Sequence, residues 1–474
     1  MAEIVKRIIG VDFDGKPIYA PKHSHSLLLA SAGAGKTTGA AVPWLQSLIS
    51  DHARAIVVAD SKEGEIAAQC AAMCDKHGRK VAIVDNFGVL HGVFGDDNPY
   101  HVSLNRFGGI IRSHVMDEGE LIFSTENACR ALIEEPPQDQ RNTYWRDEPR
   151  TLIEYAVCSL LERHPELATP GGVWSLLSDP EVLLAAAAID AEEGDEALQA
   201  LARHVLGMSA NEEHFPQHRA AAIKALRIYG AGSVLHTAGM GATHSHQRLI
   251  QEHYIIFLVG PVRHMERLGA DYALQLQSFM EVVLTGKFGP VTFLLDEFTN
   301  APLKSLISQL TTMRGYGGTC HMIAQSRSEI ERKYGDKETA TIDDNSVIKQ
   351  WFGFSSIDEA ERVSRAIGET QTVTQSLGVN SDRPEFSGNI ATGKERLFTP
   401  DELMRLPNDE QIIHVKDVGW IHCKKISQQN IAPYCFDLAD NPLEGGRLTP
   451  DPLVTINSTP RNVKSDKKTE DDDA

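Results

Sequence analysis

The sequence predicts an α/β protein built on a mostly parallel sheet, with an all-helical domain inserted into it. Three features of the chain lead to this prediction. Several short apolar runs indicate buried strands. Each run ends in polar or glycine-rich sequence, as strands of a parallel sheet do at their carboxyl ends. Stretches with helical spacing separate these runs. Between residues 126 and 227 strand-like runs are missing, and only helical patterns remain.

The first element is a strand, loop and helix near the start of the chain. The apolar run at residues 26–30 (SLLLA) ends at a glycine-rich loop, and a helical stretch follows in which Pro43 is expected to cause a kink. This order of elements is the context of a phosphate-binding loop. A glycine-rich turn without function is the alternative, which the flanking strand and helix disfavour. The predicted nucleotide-binding residues are Ser31, Ala32, Gly33, Ala34, Gly35, Lys36, Thr37 and Thr38.

Each part of this loop has an expected role. Backbone N–H groups wrap the phosphates at the positive end of the following helix. Lys36 reaches the terminal phosphates as a catalytic residue, and the Thr37 hydroxyl completes the shell of a Mg²⁺ ion. Ala30 stands where the usual pattern has glycine, so slightly different backbone angles are expected there. ATP and Mg²⁺ are therefore the predicted cofactors.

Two further strands are predicted at residues 55–59 and 81–84, and each ends in an acidic residue. Because ligands bind at the carboxyl edge of an open parallel sheet, Asp60 and Lys62 are expected to face the nucleotide or a subunit boundary. The equally weighted alternative is that both are solvated charges of a loop.

The middle of the chain is predicted to be an all-helical domain. Residues 154–162, 181–190 and 196–208 all show apolar spacing of about 3.6 residues. Tyr144, Trp145 and Trp174 are expected in its core. The predicted division of the chain is 1–125 for the first part of the nucleotide-binding domain, 126–227 for the inserted helical domain, 228–440 for the second part and 441–474 for a flexible acidic tail.

The sheet resumes at residues 254–259 and then reaches a pair of carboxylates. Asp296 and Glu297 follow the run VTFLL at 291–295, so a buried strand delivers both to the edge that holds the phosphate loop. Asp296 is predicted to hold Mg²⁺ through water, and Glu297 to orient or deprotonate the attacking water. Loop and carboxylates together indicate a P-loop ATPase of the RecA-like kind.

Two more catalytic residues are predicted downstream. A strand at residues 319–324 ends at Gln325, whose amide is placed to contact the γ-phosphate or the lytic water. Arg314 stands at the end of a helix before a glycine turn. It either stabilises transition-state charge in the site of a neighbouring subunit or caps its own helix.

Composition limits the classes of function. The chain has 65 acidic and 46 basic side chains and a formal net charge of −19, so any contact with nucleic-acid phosphates must be local. Seven scattered cysteines favour a reducing compartment. No apolar run reaches the roughly 18 residues of a membrane span, and no signal peptide is evident. A cytoplasmic location is the resulting prediction.

Several segments together resemble the coupling ATPases of type IV secretion and conjugation, the TraG/TraD family. They are LLDEF at 294–298, RGYG at 314–317, VSRAIGE at 363–369, LFTPDELMRLP at 397–407 and, in the helical domain, YWRDEPRTLIEYAV at 144–157. The resemblance covers about residues 20–420. It implies a hexameric ring, Arg314 as an arginine finger acting in trans, Gln325 as a sensor, and a helical domain that faces the secretion substrate.

Two features depart from the pattern of that family. Its members usually begin with two membrane-spanning helices, whereas here the phosphate loop starts at residue 30. The sequence is therefore interpreted as a naturally soluble member or as one whose anchor was removed. The acidic segment at residues 60–65 also carries one residue more than usual, which leaves the contacts of Lys62 and Glu65 open.

The leading hypothesis is an ATP-hydrolysing coupling protein that recruits a DNA–relaxase complex or a protein substrate and passes it to a type IV secretion channel. The alternatives are a double-stranded DNA translocase of the chromosome-partitioning kind and a nucleotide-switched adaptor with little hydrolysis. The chain is expected to bind further copies of itself, as a hexamer that either persists or assembles from a monomer at rest. It is also expected to bind DNA or a relaxase–DNA complex, and protein substrates are a further possibility. A secretion-channel or membrane-anchored protein is expected to recruit it to the inner membrane. The charged tail either recruits substrate or is merely solvated.

Overall fold

The structure is a computed structural model that describes residues 6–116, 119–133, 142–300, 304–379, 386–444 and 447–456. Its strands, in chain order, are β1 (Ile8–Val11), β2 (Pro17–Tyr19), β3 (His25–Leu29), β4 (Ala55–Asp60), β5 (Val81–Val84), β6 (Ile255–Val259), β7 (Val291–Leu295), β8 (Gly318–Ala324), β9 (Ser346–Trp351), β10 (Glu369–Val379), β11 (Phe386–Arg396), β12 (Glu410–Val415), β13 (Gly419–Lys424), β14 (Ile431–Ala432) and β15 (Val454–Thr455).

The helices carry the label α in the same order. They are α1 (Val42–Leu48), α2 (Glu65–Lys76), α3 (His91–Phe94), α4 (Gly108–Met116), α5 (Leu121–Leu132), α6 (Tyr144–Arg163), α7 (Pro170–Ser178), α8 (Pro180–Glu193), α9 (Glu196–Ser209), α10 (Phe215–Ala225), α11 (His246–Gln251), α12 (Met265–Leu284), α13 (Lys304–Thr312), α14 (Arg327–Tyr334), α15 (Asp336–Asn345), α16 (Ile357–Ile367) and α17 (Pro400–Met404).

One large sheet organises the fold. Across the described ranges, eleven strands pair in the order β2-β1-β13-β12-β9-β3-β8-β7-β4-β6-β5. The strands from β9 to β5 run parallel, and the other four extend the sheet with antiparallel pairing. The predicted α/β class with a mostly parallel sheet is confirmed. The loops that follow β3, β4, β7, β8 and β9 therefore meet at one edge, called here the carboxyl edge, and the opposite one is the amino edge.

Layers of helices bury the central strands on both faces, which is why these strands appear in the sequence as continuous apolar runs. Every residue of β3, β4, β6, β7 and β8 is buried. Side chains alternate between the two faces along each strand. Leu27 and Leu29 join the core that includes α12 and the helical region, whereas Leu28 joins the core that includes α1 and α2. Packing on both sides holds the carboxyl edge in place.

The helical region lies between β5 and β6 in the chain. The patterns at residues 154–162, 181–190 and 196–208 fall in α6, α8 and α9, as predicted. Inside this region Tyr155 donates a 2.8 Å hydrogen bond from its hydroxyl to the buried Asp190. The prediction that Tyr144 and Trp145 are core residues is wrong, since these residues are 45% and 42% exposed. Trp174 is partly buried and packs against the core.

A long antiparallel hairpin, β10 and β11, was not predicted. Its strands pair from Glu369 with Arg396 at the base to Val379 with Phe386. At the base Arg396 donates a 2.6 Å hydrogen bond to Glu361 of α16. The hairpin is thus anchored to the last helix before it.

A helix that crosses a membrane must be both long and apolar. In the ranges that the structure covers, no single helix meets both requirements, and one pair, α7 with α8, meets them jointly although its axes are bent by 103°.

Candidate functional site

The glycine-rich loop leaves β3 at the carboxyl edge. Gly33 and Gly35 have φ angles of 77° and 80°, a conformation that residues with a side chain rarely adopt. Within the described residues their N–H groups have no acceptor. Ala30 continues β3, because its N–H bonds the carbonyl of Ala324 at 3.1 Å and its φ is not positive, so alanine fits there without strain. Free N–H groups ahead of a helix N-terminus make this loop a cradle for an anion.

The helix after the loop starts as a π-helical turn, Thr37–Ala41, and then continues as α1. In a π-helical turn the N–H of residue i+5 bonds the carbonyl of residue i. Pro43 has no N–H, so the carbonyl of Thr38 is left free. That carbonyl accepts a 2.8 Å hydrogen bond from the N–H of Gln428 instead. Pro43 therefore leaves one helix carbonyl free, and this carbonyl is an attachment point for the C-terminal part of the chain.

Asp296 and Glu297 lie at the same edge, just after β7 and separated from β3 by one strand, β8. Asp296 is buried, and Glu297 has a φ of 51°. A left-handed conformation of this kind costs a residue other than glycine about 1–3 kcal/mol, and it concentrates at functional sites. The second carboxylate is therefore held in a strained position beside the phosphate loop.

Three of the residues predicted to be catalytic are in contact. Lys36 Nζ forms an ion pair and hydrogen bond with Glu297 Oε1, and their side chains are only 13% and 12% exposed. Burial raises the pKa of Glu297, while the charge of Lys36 and hydrogen bonds from Lys36 and Gln325 oppose this shift. The amide of Gln325, at the end of β8, thus reaches the same carboxylate. The site therefore brings a cation, a carboxylate and an amide together beside the phosphate loop.

Asp296 and Thr37 offer the oxygens that a magnesium ion would take. In the described residues Oδ1 of Asp296 is buried without a hydrogen-bond partner, whereas nearly all such atoms have one. Burial and, next, the charge of Glu297 raise the pKa of Asp296 to about 7. A divalent cation would satisfy the free oxygen and favour the ionised carboxylate. The residues present therefore fit Mg²⁺.

Glu65, at the start of α2, is a member of the site that the sequence did not identify. It is buried, and its Oε2 accepts a 3.3 Å hydrogen bond from the Thr37 hydroxyl and forms a 3.0 Å ion pair with Lys62 Nζ. Its Oε1 accepts a 2.6 Å hydrogen bond from the side chain of Asn441. Glu65 therefore holds the hydroxyl predicted to bind Mg²⁺ and links it to the C-terminal segment. The acidic run at residues 60–65 was the only signal for it.

Asp60 has a structural role. It is fully buried, so the alternative of a solvated loop charge is wrong for this residue. Its Oδ2 accepts a 2.7 Å hydrogen bond from the N–H of Ala67, in the first turn of α2. The residue at the N-cap of α2 is Gly64, which has no side chain to do this. Asp60 supplies the missing cap, and burial raises its pKa well above the ordinary value.

Lys425, just after β13, also reaches the phosphate loop. Its Nζ donates a 3.1 Å hydrogen bond to the carbonyl of Ala34 and lies 4.5 Å from the centroid of the Phe352 ring. Burial lowers the pKa of Lys425 to about 8. No local pattern indicates this contact, because 391 residues separate the two partners.

Arg314 lies away from these residues. It is exposed, and it belongs to the short 3₁₀ turn Met313–Tyr316 that precedes β8, so it lies at the amino edge. Gln325 follows the same strand and therefore lies at the carboxyl edge. A seven-residue strand spans roughly 20 Å. The charge of Arg314 acts on His25, at the start of β3. Within one chain Arg314 therefore does not join the site at the phosphate loop.

Known proteins resemble this chain in sequence pattern and in fold. A sequence model of the family described as "Type IV secretory system Conjugative DNA transfer" matches residues 3–430. A search of curated proteins gives no match.

Solved structures with the same fold include several of a conjugative coupling protein. The chain is similar to the bacterial conjugative coupling protein TrwBdeltaN70 in its unbound form, with 14% identity over 90% of each chain and a TM-score of 0.64. It is similar to the plasmid coupling protein TrwB in complex with ADP and Mg²⁺, with 15% identity over 90% of this chain and 91% of that one and a TM-score of 0.62. It is also similar to VirB4 of Thermoanaerobacter pseudethanolicus, with 14% identity over 92% of this chain and 99% of that one and a TM-score of 0.52.

Proposed function

Because the chain belongs to the family of type IV secretory system proteins for conjugative DNA transfer, we propose that it is an ATP-hydrolysing coupling protein. In this proposal it recruits DNA–relaxase complexes or protein substrates and passes them to a secretion channel. The observation that carries the enzymatic part is the meeting of Lys36, Glu297 and Gln325 beside the phosphate loop. A cation, a base and an amide at that place are the groups that phosphoryl transfer to water requires.

The mechanism follows from these contacts. When ATP binds, Lys36 leaves Glu297 and moves to the terminal phosphates, which frees the carboxylate of Glu297 to orient or deprotonate the attacking water. Gln325, which follows β8 close to Glu297, holds the water or the γ-phosphate. Asp296 and Thr37 would hold Mg²⁺, which when bound neutralises charge on the phosphates. The similarity to TrwB in complex with ADP and Mg²⁺ supports this use of the site.

The proposal includes assembly into a ring, in which Arg314 enters the site of a neighbouring copy. Its exposure at the amino edge, remote from its own phosphate loop, supports a role in trans over one in its own site. An arginine supplied in this way stabilises the charge that develops on the transferred phosphoryl group. We also place the protein in the cytoplasm and, during transfer, at the inner membrane beside a channel protein.

The experiment that tests this function is steady-state ATP hydrolysis by the purified chain at low salt, with and without single- and double-stranded DNA. Low salt matters because contacts with phosphates weaken steeply as ions are added. The Lys36→Ala and Glu297→Gln variants are the controls. Stimulation by DNA that both variants abolish is the expected result. Nucleotide binding without hydrolysis, with or without DNA, would contradict the proposed enzyme and favour a nucleotide-switched adaptor.

A further inference from the structure

A basic cavity lies at the amino edge of the sheet, opposite the phosphate loop. Its lining includes Lys6, Arg7, Lys22, His23, Arg54 and His321, and we call it the Arg7 pocket. Its volume is about 40 Å³, more than the ~10–15 Å³ that one water molecule needs. Among the described residues that line it there is no aspartate or glutamate, although the chain as a whole carries a net charge of −19.

Arg7 is the deepest cation of this pocket. It is 4% exposed, and in the part of the chain that the structure covers none of its three side-chain nitrogens has a hydrogen-bond partner. Its guanidinium carbon lies 4.4 Å from the centroid of the Trp44 ring. Contact with a ring face leaves the N–H donors in the guanidinium plane free. A buried charge with free donors is costly unless an anion compensates it.

The groups around Arg7 that the structure describes do not provide that anion. Arg54 already donates a 2.9 Å hydrogen bond to Asp51 and a 3.1 Å hydrogen bond to the Thr292 hydroxyl. His321 is uncharged, because burial and then the charge of Arg7 hold its pKa well below the ordinary value. Lys22 is exposed at the mouth of the cavity. The pocket thus combines an unpaired guanidinium inside with a lysine at its entrance.

We propose that the Arg7 pocket binds one small tetrahedral oxyanion of the phosphate class. The planar fork of arginine donors matches the oxygens of phosphate, and the lysines add positive charge around them. A phosphodiester of DNA carries a sugar on either side and does not reach a guanidinium buried this deeply, so the ligand is a free anion. The site is at the opposite edge from the nucleotide and does not depend on the proposed ATPase.

The test compares the full-length wild type with Arg7→Met, a substitution that keeps an unbranched side chain and removes the charge. Both proteins are melted in chloride and in phosphate at constant ionic strength, with ADP and Mg²⁺ in excess to occupy the phosphate loop. In chloride Arg7→Met is expected to melt at a higher temperature, because it lacks an uncompensated buried cation. In phosphate the order reverses, since only the wild type gains a ligand. Calorimetry with inorganic phosphate should show at least about tenfold weaker binding by the variant.

Arg79 provides the matched control. It is equally buried, but its guanidinium donates to the backbone carbonyls of Leu48, Ile49, Arg54 and His253. Arg79→Met should therefore melt below the wild type in both buffers and keep its response to phosphate. Two results would overturn the proposal: a phosphate response that Arg7→Met retains in full, or a lower melting temperature of Arg7→Met in both buffers. The first would place the anion elsewhere, and the second would make Arg7 a structural residue.

Discussion

The pairing of Lys36 with Glu297 leads to a quantitative expectation for Glu297→Gln. The ion pair must break before Lys36 reaches a phosphate, so part of the nucleotide binding energy is used to separate it. An amide at residue 297 still accepts a hydrogen bond from Lys36, but it carries no charge. We therefore expect the variant to bind nucleotide more tightly than the wild type while it hydrolyses ATP far more slowly.

The size of the effect follows from the burial of the pair. The two side chains are 13% and 12% exposed, so solvent screens their interaction little. A hydrogen bond to a charged group contributes about 1.5–3 kcal/mol and one between neutral groups about 0.5–1.5 kcal/mol, so removal of one charge weakens the contact by about 1 kcal/mol. Nucleotide affinity should then rise about fivefold. Loss of the general base should lower kcat by about 10²–10⁴.

The assay is a binding titration with ADP and with a non-hydrolysable ATP analogue, followed by measurement of phosphate release. Both nucleotides require Lys36 to leave Glu297, so both should bind more tightly to the variant. Glu331→Gln is the control, since Glu331 is a carboxylate of α14 that pairs with Arg327 at 2.8 Å and not with Lys36. If only the ATP analogue gains affinity, the cause is repulsion between Glu297 and the γ-phosphate. That result would refute the reasoning from the ion pair.

Three further outcomes are expected. Asp296→Asn should remove the dependence of nucleotide affinity on Mg²⁺, and a magnesium titration at constant ADP that still tightens binding would contradict the assignment. Burial lowers the pKa of Lys425 to about 8, so this side chain loses its charge as the pH rises from 7 to 9. Nucleotide affinity should therefore fall several-fold over that range. In Lys425→Met this dependence of affinity on pH should vanish. ATP hydrolysis per subunit should rise with protein concentration as a ring assembles, and Arg314→Ala should lower it about 10³-fold; constant activity from dilute to concentrated wild type would exclude a finger supplied by assembly in that range.

The fold class was predictable because its signals are local. An apolar run with polar sequence at its end indicates a buried parallel strand, whatever its neighbours are. Parallel strands share one edge, so the residues just after β3, β7 and β8 could be assigned to one site without knowledge of the strand order. Lys36, Glu297 and Gln325 do lie together there. Their catalytic roles stay predictions until the variants above are measured.

Other parts of the site depend on contacts that no local pattern carries. Glu65 and Asn441 meet across 376 residues, and the position of each is set by packing rather than by a motif. Asp60 appeared as one more polar residue at a strand end, yet its environment makes it a helix cap. The prediction that Tyr144 and Trp145 are core residues was wrong because both are exposed. Aromatic character alone does not decide whether a residue lies on the buried or the exposed face of a helix.

The attachment of the C-terminal segment to the phosphate loop has a consequence for how the protein is made. Lys425 donates a hydrogen bond to the carbonyl of Ala34, and Asn441 donates one to Glu65, so two supports of the site come from residues 391 and 376 positions downstream of their partners. At a synthesis rate of about 5–20 residues per second, the ribosome adds Lys425 roughly 20–80 s after Ala34. A nascent chain has its glycine loop early but not the supports that hold it. The loop therefore gains these two contacts only after residues 425 and 441 have been synthesised.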